Sequence, residues 1–122
     1  ATSLWLIGSI YDRVLPSPTL YSKDNSLYKP IAYSSGKCAQ IPLRNQAAVY
    51  LAKYGGRCNS LSFGGIHLDQ CSEFVDRYSS KSPSNCLVPI SDVIKMIKWA
   101  LLESPPSLNG SDILIDGAFS LG

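Results

Sequence analysis

This 122-residue chain has a single histidine, a single methionine and no C-x-x-C pair among its four cysteines. Zinc sites draw on Cys and His ligands clustered at close spacing, so no metal site is expected. Cys38, Cys58, Cys71 and Cys86 stand far apart in the sequence and are expected to be free thiols. The lone His67 follows Gly64-Gly65-Ile66 and has no evident partners for a Ser-His-Asp triad, which favours a solvated loop histidine over a catalytic one. Charge is equally sparse: 16% of residues are charged, the net charge is +2, and Lys and Arg are scattered rather than striped. Nucleic acid is therefore not an expected partner. No apolar run approaches the ~20 residues that span a bilayer, and the amino terminus lacks the charged segment of a secretory signal. The expectation is a cytoplasmic protein with no membrane partner. Also missing is any G-x-G-x-x-G turn; Gly8-Ser9-Ile10 and Gly55-Gly56 do not have the spacing of a phosphate-cradling loop.

What is present reads as one domain over residues 1–122. A hydrophobic content of 45% suits a globular chain with a modest core. The apolar run 4–10 is too short for an ordinary helix and reads as a buried strand. A long loop over 11–32 follows, carrying Pro16, Pro18 and Pro30, with Tyr21 and Tyr28 as candidates to line a pocket. A helix is expected over 34–54, stopped by Gly55-Gly56. A second strand is expected over 57–63, a short helix over 69–78, and a second long helix over 91–103 with Ser91 as its N-cap. The Asn109-Gly110 turn then leads to a third strand over 112–116. Asn109-Gly110-Ser111 also matches a glycosylation acceptor, although a plain turn is the favoured reading. Strands alternating with helices predict an α/β fold with a parallel sheet.

Within this layout one spacing carries chemistry. Tyr33 and Lys37 lie four residues apart at the start of a helical segment, so their heads share a face. An ammonium beside a phenol favours the phenolate and brings a pKa that is otherwise about 10 toward neutrality, which suits a proton donor and acceptor. Taken alone, such a pair is more often a solvated surface contact.

Five segments in order give that pair a setting. They are Ser9 after the first strand, Tyr33-Ser34-Ser35-Gly36-Lys37, Gly55-Gly56-Arg57-Cys58-Asn59, Leu61-Ser62-Phe63-Gly64-Gly65-Ile66, and the closing stretch from Ile113 to Gly122. Together they resemble the carboxy-terminal half of the short-chain dehydrogenases/reductases, over essentially the whole chain. The resemblance implies a truncated Rossmann-like three-stranded parallel sheet with flanking helices. It implies Tyr33 as general acid/base and Ser9 as the hydroxyl that steadies the substrate oxygen. Lys37 is implied to act on Tyr33 and to hold the nicotinamide ribose, with Gly64, Gly65 and Ile66 meeting the nicotinamide of NAD or NADP. The hydride would pass between that cofactor and a carbonyl or alcohol substrate.

The absent glycine-rich turn bears on the same resemblance, because the family places it in the amino-terminal half. Cofactor binding by this chain alone is thus doubtful, and activity is expected only when a partner chain supplies a cofactor-binding half. Four departures stand out: Pro42 inside the expected helix, Phe63 where the family has proline, Asp12 where glycine is common, and Ala118 after Gly117. An uncovered first strand leaves an edge of unpaired N–H and C=O groups, so self-association, most simply a homodimer, is expected. The alternative function is a non-enzymatic oligomeric interaction module or an inactive fragment.

Overall fold

The computed structural model describes residues 2–21 and 29–122. It holds one open sheet of three parallel strands: β1 (Ser3–Ser9), β2 (Arg57–Phe63) and β3 (Asp112–Ile115), in spatial order β1-β2-β3. A four-residue helix α1 (Pro18–Tyr21) and the long helix α2 (Ile31–Ala52) lie between β1 and β2. Helices α3 (Ser72–Lys81) and α4 (Ile90–Leu102) connect β2 to β3.

β2 is central and its side chains alternate between two helical layers, as the two-residue period of a strand requires. Ser60 receives a hydrogen bond from Arg44 of α2, whereas Leu61 and Phe63 share a core cluster with Val93 and Ala100 of α4. A second cluster joins Ile10, Tyr11, Leu20 and Tyr21 to Phe74, Tyr78 and Leu87, and so seats the segments around α1 against α3.

Several boundaries differ from the sequence expectation. The first strand ends at Ser9, because Ile10 opens a short 3-10 turn over Ile10–Asp12. α2 begins three residues early, at Ile31 after Pro30, whose fixed φ suits the entry to a helix. α4 is likewise entered from Pro89, so Ser91 is an interior residue and not the N-cap. α3 runs from Ser72 to Lys81 and not over 69–78. Tyr28 lies outside the described residues.

Pro42 sits inside α2 without ending it, leaving the Cys38 carbonyl without its i+4 amide donor. The other departures have local explanations. Asp12 pairs with Arg13, and its carbonyl accepts from the Cys38 thiol. Phe63 is a buried core residue. Ala118 takes φ of 65°, the left-handed region that a glycine enters at no steric cost.

Two asparagines, buried Asn59 and exposed Asn109, tie the chain after α4 to β2. Asn59 donates to the Leu108 carbonyl at 2.8 Å and accepts from the Ser111 amide at 3.0 Å. Asn109 accepts from the Cys58 amide at 2.9 Å and donates to the Ala48 carbonyl at 3.1 Å. With both ends of its amide engaged, Asn109 is a structural latch. All four cysteines are free thiols, with Cys58 buried and the others exposed. Among the described residues no helix is long and apolar enough to cross a membrane.

Candidate active site

Parallel strands present their carboxyl ends on one side of the sheet, and there the crevices of open α/β sheets form. Ser9 ends β1, and Gly64-Gly65-Ile66 follows β2. A cavity of about 280 Å³ opens at that end, lined by Ser9, Tyr33, Gly64, Gly65 and Ile66, together with Lys29, Tyr11, Tyr21, Phe74 and Tyr78. The fold therefore gathers residues separated by more than fifty positions in the sequence.

Tyr33 lies in the first turn of α2, half-exposed at the cavity wall. The Tyr11 ring meets it edge-on, with centroids 6.4 Å apart. Lys37, one turn on, does not line the cavity. Its ammonium sits 5.6 Å from the Tyr33 ring centroid and donates to the Ile7 carbonyl at 2.8 Å. That bond anchors the ammonium to β1 and leaves two of its three N–H donors. Ser9 is buried, and its Oγ accepts from the Tyr11 amide at 3.2 Å. The bond occupies the hydroxyl as acceptor, so its own O–H is left to donate toward the cavity.

The glycine turn is held by Tyr78. Its hydroxyl accepts from the Gly65 amide at 2.6 Å, and its ring stacks on Phe119 at 4.4 Å. Burial pushes the Tyr78 phenol up to about 12, so it stays neutral and keeps this bond. The Gly64 amide is likewise spent, on the Ile115 carbonyl at 2.9 Å. Ile66 differs: it bridges Val88 through the Gly65 carbonyl and the His67 amide, and among the described residues its own amide has no partner.

Sequence reasoning overlooked three contributors. Tyr11 shares a 2.6 Å hydroxyl–hydroxyl bond with Tyr21, and burial raises both phenols. Gln70 lines the cavity and braces the turn, accepting from the Leu68 amide and donating to the Ile66 carbonyl. Lys29 places its ammonium 5.4 Å from the Tyr33 ring centroid. Its signal was present as a second four-residue step, Lys29 to Tyr33 to Lys37. His67 is exposed and does not line the cavity. Among the described residues no three His, Cys, Asp or Glu side chains are grouped to hold a metal.

Fold and site together define a Rossmann-like α/β protein with a tyrosine-lined cavity at the carboxyl ends of its parallel strands. The particular likeness is to short-chain dehydrogenases. A short-chain dehydrogenase from Leptospira borgpetersenii serovar Hardjo-bovis (strain JB197), solved with bound NAD+, superposes with a TM-score of 0.85 at 29% identity, over 97% of this chain and 44% of that one. ElxO with NADP bound gives 0.76 at 25% identity, over 98% and 47%. 4-Hydroxyisoleucine dehydrogenase complexed with NADH gives 0.77 at 22% identity, over 98% and 47%, a likeness of fold alone. The chain thus spans less than half the length of each. No family model matches the sequence, and no curated protein does.

Proposed function

We propose that this chain is the carboxy-terminal, catalytic half of a short-chain dehydrogenase/reductase, an oxidoreductase acting on a carbonyl or alcohol substrate. The observation that carries the reading is the convergence of Ser9, Tyr33 and the Gly64-Gly65-Ile66 turn on one cavity, with the Lys37 ammonium beside the Tyr33 ring. A nicotinamide cofactor, NAD or NADP, supplies or accepts the hydride when bound. Two groups in the structure suit its nicotinamide end: the unpartnered Ile66 amide and the remaining Lys37 donors. Gly64 and Gly65 act through shape, since their amides are already bonded and a Cβ on either would press on Tyr78. Among the described residues there is no glycine-rich turn for the pyrophosphate, so the dinucleotide's other end needs a second segment or a partner chain.

The protein's own part is proton transfer and charge stabilisation. Tyr33 gives its proton to, or takes it from, the substrate oxygen. Ser9 donates its O–H to the same oxygen while the Tyr11 amide fixes its orientation. Lys37 places positive charge where the phenolate forms.

The test is titration of NADH and NADPH followed by nicotinamide fluorescence, with and without a dinucleotide-binding half. Binding and carbonyl reduction are expected in the complemented sample. Tyr33→Phe should lower turnover by about 10²–10⁴-fold with cofactor affinity unchanged. Turnover that survives Tyr33→Phe removes Tyr33 from its role. A second reading, an oligomeric interaction module without chemistry, draws on the outward stripe Ile90, Ile94, Ile97 and Leu101 of α4, all exposed.

A further inference from the structure

The cavity has a polarity of its own. Tyr21, Phe74, Ile66 and Leu68 give its lining an apolar and aromatic part. Lys29 lines it too, and among the described residues no acidic side chain does. Among the described residues no carboxylate pairs with Lys29. Positive charge also accumulates around it. Lys29 precedes Pro30, the cap of α2, and the amino end of a 22-residue helix carries the positive pole of its dipole. The first turn of α2 has no acidic residue to offset this. Lys37 brings a second ammonium to the same ring, 5.6 Å from its centroid against 5.4 Å for Lys29. Placing a lysine at a helix amino end is unfavourable unless an anion joins it.

We propose that the cavity takes a small carboxylate with an apolar body, an oxo or hydroxy acid, whose charge is met by Lys29 and whose chain lies against Phe74 and Tyr21. This substrate class rests on the reading of Ser9 and Tyr33 as the groups that meet the reacting oxygen. A carboxylate suits the site better than a phosphate, because a dianion calls for a guanidinium fork or several amides and, among the described residues, the wall offers one ammonium. The cavity volume of about 280 Å³ suits a molecule of metabolite size.

The experiment needs no dinucleotide, which separates it from the redox reading. The chain is titrated with 2-oxo-4-phenylbutanoate and with its methyl ester, followed by backbone amide shifts at Gly65, Ile66 and Phe74. The acid is expected to bind at least tenfold more tightly than the ester. Lys29→Met should erase that preference while leaving ester affinity unchanged, and Lys29→Arg should keep it. Equal binding of acid and ester by the unaltered chain overturns the proposal, as does a preference that survives Lys29→Met, or no binding of the acid. Displacement of the acid by equimolar inorganic phosphate at constant ionic strength also overturns it, in favour of a phosphate ligand. If the acid binds as described but the complemented chain oxidises no NAD(P)H, the carboxylate site stands and the oxidoreductase reading falls.

Discussion

At the scale of single residues, the cavity depends on what two glycines leave out. A Cβ at Gly65 would lie 2.7 Å from Tyr78 Cε2, and one at Gly64 would lie 2.9 Å from the Tyr78 hydroxyl. Tyr78 is 1% exposed and stacked on Phe119, so its ring has nowhere to go. Gly65→Ala is therefore expected to destabilise the chain by about 1–3 kcal/mol, the usual cost of overpacking. Urea denaturation checks this, and an unchanged midpoint would show that the turn relaxes freely. The glycines themselves were legible in the sequence, whereas their reason was not: Tyr78 lies thirteen residues on and meets them only because α3 folds back across the turn. Tyr33, Lys37 and Lys29 form the opposite case. Their four-residue steps are a local property of the chain, and the structure keeps both ammonium groups at the same ring.

At the scale of elements, α2 packs on the sheet with an unusually polar inner face. Its sheet-facing positions include Lys37, which reaches the Ile7 carbonyl, and Arg44, which donates to Ser60 Oγ at 2.9 Å. Arg44 lies 3.8 Å through Nη1 from Asp112, the first residue of β3, which accepts from Arg13, Ser60 and Ser62. The cluster sits where an apolar helix–sheet seam is normal. Gly8 belongs to it sterically, since a Cβ there would fall 2.3 Å from Ser62 Oγ. Burial alone would raise the Asp112 carboxyl, but the bonds from Arg13, Ser60 and Ser62 outweigh it and hold the group below the ordinary carboxylate range. A depressed folded-state pKa means stability that is present above the unfolded value of about 4 and is lost as pH falls through and below it. Thermal melts are thus expected to show stability decreasing below about pH 5. Asp112→Asn should cost about 1–3 kcal/mol near neutrality and flatten that acid limb. An acid limb of unchanged slope in the variant would assign the loss to other carboxylates. Nothing in the sequence pattern joined Asp112 to Arg13, 99 positions away.

At the scale of the whole molecule, β1 and β3 are the edge strands, and among the described residues no further strand pairs with either. Leu4 and Ile7 of β1 are exposed, as are Ile94 and Leu101 on the outer face of α4, Tyr50 of α2 and Tyr54 just beyond it. Unpaired strand edges beside apolar helix faces favour association with another chain. Sedimentation at micromolar concentration is expected to show a dimer or larger species, and Ile94→Glu with Leu101→Glu should shift it toward monomer. A wild-type monomer would argue against both a homodimer and the interaction-module reading. The alternation of strands and helices, the parallel sheet and the Tyr33–Lys37 step were settled by the sequence, because period, turn chemistry and i,i+4 spacing are local properties of a chain. The cavity, the Tyr78 brace, the Asp112 cluster and the closure of Asn109 were decided only by tertiary structure. Each joins groups distant in sequence, and their meeting depends on strand register and helix packing, which no local pattern encodes.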